Sequence, residues 1–184
     1  ALVQHITVPV LAEAFYSLKS DVAAGVDGVT WEMYADGSQD RLSDLCDRLH
    51  RGAYRAPPVK RVEIPKADGG TRPLGIATLE DKIVQKAVTD TILVPIYESE
   101  FLGFSYGFRQ GRGAHNALDA LFVGIEQRKI GWIMDADIRG FFDNVDRDWL
   151  IEFLEHRIGD KRGIRLIIKW LNAGVMNGST WTDT

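Results

Sequence analysis

The run Trp132-Ile133-Met134-Asp135-Ala136-Asp137-Ile138-Arg139-Gly140-Phe141-Phe142-Asp143-Asn144-Val145 limits what this chain can be more than any other segment. Carboxylates stand at the exit of a short apolar stretch, and a glycine and two phenylalanines follow at once. Carboxylates in that position are the oxygen ligands preferred by a hard cation such as Mg²⁺. Gly140 allows a bulky charged ligand to approach the backbone. The pattern predicts a short buried strand over Gly131 to Asp137 that presents Asp137 at its end. Two alternatives stay open. One is a solvated acidic turn. The other is a calcium loop, with Asp135, Asp137 and Gly140 at its first, third and sixth positions. Arg139 at a ligand position and Asp146 in place of the last Glu count against that loop.

The rest of the chain reads as alternating helices and short strands, an α/β or α+β pattern, with α+β the fold class expected. Leu11, Ala14, Phe15 and Leu18 share one helical face, and Leu42, Leu45, Cys46 and Leu49 share another. Pro57-Pro58 forces an extended entry. Val59 to Ile64 and Thr71 to Ile76 then form a β-hairpin around the turn Lys66-Ala67-Asp68-Gly69-Gly70. Asp81 to Val94 is helical, and Pro95 ends or kinks it. Ala114, Ala117, Leu118, Leu121, Phe122 and Ile125 form the cleanest helical stripe. Two more helices cover Arg147–Arg157 and Lys161–Asn172. A soft boundary near residue 112 divides the chain into 1–112 and 113–184.

Net charge is −4, and its distribution says more than the sum. Residues 1–50 hold Lys19, Arg41 and Arg48 against eight acids. Residues 51–86 hold Arg51, Arg55, Lys60, Arg61, Lys66, Arg72, Lys82 and Lys86 against Glu63, Asp68, Glu80 and Asp81. That block suits a phosphate backbone, or else a solvated mixed surface. Lys66 and Arg72 flank the hairpin turn. They can serve as a point charge and a planar fork for a triphosphate, or only as a charged sheet edge. Ser105-Tyr106-Gly107-Phe108-Arg109-Gln110-Gly111-Arg112 puts aromatics, glycines and arginines in one loop, a composition suited to nucleic-acid contact or to an anchored surface loop. Cys46 is the only cysteine, so an intrachain disulfide is excluded. No apolar run reaches the roughly 18 residues of a membrane span. No signal peptide is visible, so a cytoplasmic protein is expected.

Five segments in order resemble a group II intron-type reverse transcriptase. They are Ala24-Gly25-Val26-Asp27-Gly28-Val29-Thr30, Tyr54 through Lys66, Thr71-Arg72-Pro73-Leu74-Gly75-Ile76, the Ser105–Arg109 loop with Gly111-Arg112, and Asp137–Val145. The resemblance implies a right-hand polymerase, with fingers over 1–112 and the first part of the palm over 113–184. It implies two Mg²⁺ ions, an RNA template, a DNA or RNA primer and dNTPs as partners, and binding to the protein's own intron RNA. Matched to the motifs, Asp137 is the metal-binding carboxylate and the Ile138 carbonyl a backbone ligand. Gly140 and Phe141 offer N–H groups to the triphosphate, and Phe142 is the gate against ribose. Lys66 and Arg72 bind the triphosphate, while Arg109 and Arg112 lie near template or nucleotide. The family's second motif, Tyr-Ala-Asp-Asp, is absent; Tyr34-Ala35-Asp36-Gly37 precedes Asp137 and lacks one acid. The expectation is therefore a fragment that does not polymerise alone. An RNA-binding module that assists splicing is the alternative, beside defence-associated, CRISPR-associated or diversity-generating relatives. Oligomeric state is left open.

Overall fold

The computed structural model describes every residue except Asp68, Lys129 and Thr184, and the Asp143 side chain also lies outside the described set. The fold is α+β. A 3₁₀ turn over Leu2–His5 leads into α1 (Val8–Ser17), α2 (Trp31–Ala35) and α3 (Ser38–His50). The hairpin β1 (Val59–Pro65) and β2 (Thr71–Ile76) follows, then α4 (Leu79–Val88), a π turn over Thr89–Leu93 and short α5 (Val94–Tyr97). After these come α6 (Ala114–Arg128), a 3₁₀ turn over Phe142–Asn144, α7 (Arg147–Arg157), α8 (Lys161–Leu171), β3 (Val175–Asn177) and β4 (Thr180–Thr182). The hairpin and five of the expected helices form close to their sequence bounds. Pro95 does not end the fourth helix; the backbone widens into a π turn ahead of it, the usual relief for a local conflict in a helix. No helix of the described residues is long and apolar enough to cross a membrane.

The chain forms two compact units, Ala1–Leu93 with Arg147–Thr184, and Val94–Asp146. In the first, the predicted stripes become the core. Leu11, Ala14 and Phe15 of α1 meet Leu42, Leu45, Cys46 and Leu49 of α3 and Ile83, Val84 and Val88 of α4, all buried. Phe15 stacks on Trp31 with ring centroids 4.9 Å apart. Four strands lie in the order β2-β1-β3-β4, with β1 and β3 parallel and the other pairs antiparallel. The parallel pair requires the long crossover that the intervening residues supply.

Two tertiary joints bind α8 to this unit. Trp170 Nε1 donates to the Tyr54 hydroxyl at 3.2 Å. Lys169 Nζ donates to the carbonyls of Gly52 at 3.0 Å and Tyr54 at 2.6 Å. At the helix start, Asp160 caps α8 by accepting from Arg162 N at 3.1 Å and also takes the N–H groups of Leu2 and Val3. These hydrogen bonds hold its carboxyl below the usual range even though burial opposes them.

The Tyr54 hydroxyl donates in turn to Asp81, which is 2% exposed. Burial pushes the Asp81 carboxyl up to about 6, and the Tyr54 hydrogen bond offsets this only partly. The unfolded carboxyl loses its proton first, near pH ~4. Between about pH 4 and 6 the folded chain binds more protons, so stability falls as pH rises through that window. Asp81→Asn keeps the size and an acceptor for Tyr54. It should remove that fall, and the variant should gain on the order of 1–3 kcal/mol over the parent at pH 7 relative to pH 4. Urea midpoints at both pH values check this; parallel pH profiles would refute it.

The second unit departs from expectation in two places. α6 forms, yet its stripe is open: Leu118 is 59% and Phe122 64% exposed. The segment Gly131 to Asp137 is neither strand nor buried; it has no regular secondary structure and is exposed throughout. A strand exists only as part of a hydrogen-bonded pair, and no described strand lies beside this one.

Candidate nucleotide and nucleic-acid site

Lys66 and Arg72 belong to the first unit. Arg72 sits directly opposite Ile64 in the hairpin register. Lys66 follows the end of β1 and Arg72 is the second residue of β2, so both stand beside the hairpin turn. Both are exposed, and neither forms an ion pair among the described residues. The turn is closed by Lys66 N donating to Gly70 O at 2.7 Å; its residue Asp68 lies outside the described residues. The Asp27-Gly28 loop is held locally, with Val29 N donating to Asp27 Oδ1 at 3.2 Å.

Arg109, Arg112, Asp137, Ile138, Gly140, Phe141 and Phe142 belong to the second unit. The Arg109 side chain is only 4% exposed. It spends its guanidinium on its own surroundings. Nε and Nη2 donate to Glu98, and Nη1 donates to the carbonyls of Leu102 at 3.0 Å and Ser105 at 2.7 Å. The Phe101 ring lies under the guanidinium, 4.9 Å to the centroid. Hydrogen bonding to Arg109 holds the Glu98 carboxyl below its usual range. Arg109 thus pins the loop from inside. Arg112 is exposed, donates to Gly103 O at 2.8 Å and lies over the Tyr106 ring. Phe108 takes a left-handed φ of 56° with its ring in solvent, a strained placement for a bulky residue. Glu98 escaped the sequence reading because nothing local marks a partner eleven residues away from Arg109.

Asp137 and Ile138 are exposed in this irregular segment. Gly140 has φ 61°, which an L side chain adopts only with strain. Asn144 fastens the turn: its N and Nδ2 both donate to Gly140 O, at 3.2 and 2.7 Å. The N–H groups of Gly140 and Phe141 make no hydrogen bond among the described residues. Phe141 and Phe142 meet edge to face at 5.3 Å, and Phe142 is 86% exposed.

Among the described residues, no three His, Cys, Asp or Glu side chains converge on a metal position. The donors at Asp137 fit a magnesium ion that arrives on a triphosphate and keeps several waters. They do not make a dedicated cage.

A family model described as reverse transcriptase (RNA-dependent DNA polymerase) matches residues 64–183. Protein YkfC of Escherichia coli is 37% identical over 161 residues, which is 86% of this chain and 42% of that protein. The group II intron-encoded protein LtrA of Lactococcus lactis is 37% identical over 176 residues, 93% of this chain and 28% of that protein. The chain therefore spans less than half the length of these relatives. Among solved structures, a chain of a Cas6-RT-Cas1–Cas2 complex superposes with a TM-score of 0.58 at 20% identity, covering 97% of this chain and 18% of that one. That likeness bears on the fold. Together with the α+β architecture, the 64–183 match establishes that this chain belongs to the reverse transcriptase family and is similar to its group II intron-encoded members.

Proposed function

We propose that the chain supplies the fingers, residues 1–112, and the first part of the palm, residues 113–184, of an RNA-directed DNA polymerase. The observation that carries this reading is the Asp137–Asn144 turn. It combines an exposed carboxylate, two unbonded backbone N–H groups and an exposed ring within six residues, in a chain of the reverse transcriptase family. Magnesium, when bound with nucleotide, supplies charge neutralisation at the reacting phosphate. Asp137 and the Ile138 carbonyl would hold the ion. The N–H groups of Gly140 and Phe141 donate to triphosphate oxygens, as backbone nests do for anions. On the hairpin, Lys66 and Arg72 take phosphate charge. Arg109 keeps the Tyr106–Arg112 loop in shape, and Arg112 with the exposed Phe108 and Tyr106 faces template or nucleotide. Primer extension by the gene product that carries this chain, on poly(rA)/oligo(dT) with Mg²⁺, tests the reading; absence of DNA synthesis overturns it.

Phe142 is assigned to the exclusion of ribose by sterics, since a flat ring fills the space a 2′-hydroxyl needs. Its exposure supports this assignment over that of a core phenylalanine. Phe142→Ala should therefore shift stability by no more than about 0.5 kcal/mol. The ratio of ribonucleotide to deoxyribonucleotide incorporation should rise about tenfold, the scale of ~1–2 kcal/mol of lost steric discrimination. A melting curve and single-nucleotide incorporation read both, and a folded variant with an unchanged ratio removes Phe142 from the site.

The intron-encoded relatives favour a second reading, a module that grips its own intron RNA and assists splicing. Asp137→Asn separates the two, because splicing assistance should survive it.

A further inference from the structure

The first unit contains a cleft of about 370 Å³ away from the hairpin tip, lined by residues of α3, the segment after it and α8. Its floor is apolar, built from Val3, Leu49, Leu166 and the Tyr54 ring, all buried. Its cationic groups are Arg51, Arg162, Arg165 and Lys169, with His50 beside them, and no carboxylate lines it. The chain as a whole is acidic at −4, so four permanent cations around one cleft are a local concentration that composition does not supply.

These cations are not spent on one another's counter-charges. None of the four forms an ion pair among the described residues. Arg51 uses only Nε, on the Asp47 carbonyl at 3.3 Å. Lys169 gives two of its three N–H groups to carbonyls, which orients the ammonium and leaves its charge uncompensated. His50 Nε2 lies 3.0 Å from the Ile6 carbonyl oxygen. The nearest capping acid, Asp160, already accepts three backbone N–H groups.

Arg162, Arg165 and Lys169 fall at i, i+3 and i+7 of α8, which is one face of a helix. They spread charge over about 10 Å of helix axis at 1.5 Å per residue. That length suits successive phosphates of a strand better than one isolated anion. Arginine forks suit phosphate oxygens, and an apolar floor with an aromatic ring suits a sugar or base edge.

The geometry points to a second phosphate-binding site, separate from the Asp137 turn, in which the Arg51–Arg162–Arg165–Lys169 cleft holds the sugar-phosphate backbone of an RNA strand. The choice of a nucleic-acid strand rests on the reading above; the anion site itself rests on the cleft. Lys169 also anchors α8 to Tyr54, so the test leaves it intact.

The test uses the whole chain with 1 mM EDTA and a labelled single-stranded RNA 12-mer, so that no catalysis or metal contributes. Arg162 and Arg165 are exposed, and Arg162→Ala/Arg165→Ala should fold as the parent does by circular dichroism. Its RNA affinity should fall about tenfold. The slope of log affinity against log salt should drop by about 1.4, two single-strand phosphate contacts. A charge-matched control on another face, Lys19→Ala/Arg41→Ala, should stay within about twofold of the parent. Equal losses in both variants, or no loss in the first, overturn the site. Tighter binding of polyglutamate than of RNA overturns the strand as its occupant. So does protection by inorganic pyrophosphate that the first variant loses while its RNA affinity is unchanged. A pair of variants that differ as expected, with no DNA synthesis by the gene product that carries this chain, would keep the cleft and sink the polymerase reading. Extension with no cleft effect would do the reverse.

Discussion

Primer extension by the gene product carrying this chain should fall to background when Asp137 becomes Asn, while its RNA affinity stays within about twofold. Asparagine keeps the size and removes the charge. A hard cation bound through one or two carboxylates and substrate phosphates loses its protein anchor with that charge. A loss of about 10³-fold or more is expected, the upper scale of removing one preorganised electrostatic contact. RNA affinity depends on cations elsewhere, so it should hold. Asp137 is exposed, so the change should leave folding alone and the lost activity would report on chemistry. Near-normal extension would hand the role to Asp135 or Asp143.

Gly25→Ala should cost about 3 kcal/mol or more, enough to show as a large drop in the urea midpoint. A Cβ on Gly25 would sit 2.6 Å from Thr78 Cα, 2.7 Å from Thr78 N and 2.9 Å from Ala77 C. All three are backbone atoms, which cannot swing aside as a flexible side chain can. Thr78 is also the N-cap of α4, its hydroxyl accepting from Asp81 N at 3.3 Å. Moving it would loosen the cap, worth ~1 kcal/mol, and disturb the buried Asp81–Tyr54 pair. Gly28 makes a useful control. Its φ is 70°, but a Cβ there meets nothing within 4 Å, so Gly28→Ala should show only the smaller backbone strain, ~1–2 kcal/mol. Equal midpoints for Gly25→Ala and the parent would refute the close approach.

The helices of the first unit and the hairpin were legible because their signal is local. Apolar spacing in α1 and α3 and the Pro57-Pro58 entry each act within one turn or strand. The family was legible from the order of the motifs, which the 64–183 match bears out. The strand at Gly131 to Asp137 was misread for the opposite reason. Its apolar residues report a wish for burial, but a strand needs a neighbour's hydrogen bonds, and residue types do not name that neighbour. The open face of α6 makes the same point: a helical period shows which side is apolar, and only packing shows what covers it.

Sequence by itself determined the family and the α+β class. Those follow from residue identity and short-range spacing. Tertiary structure alone decided that Arg109 faces inward to Glu98, that Tyr54 ties Asp81 to Trp170 across more than a hundred residues, and that Arg51 shares a cleft with Arg162, Arg165 and Lys169. Each joins side chains whose partners are far away along the chain. The free energy of such a pair depends on burial and distance, which come into being only when the chain has closed on itself.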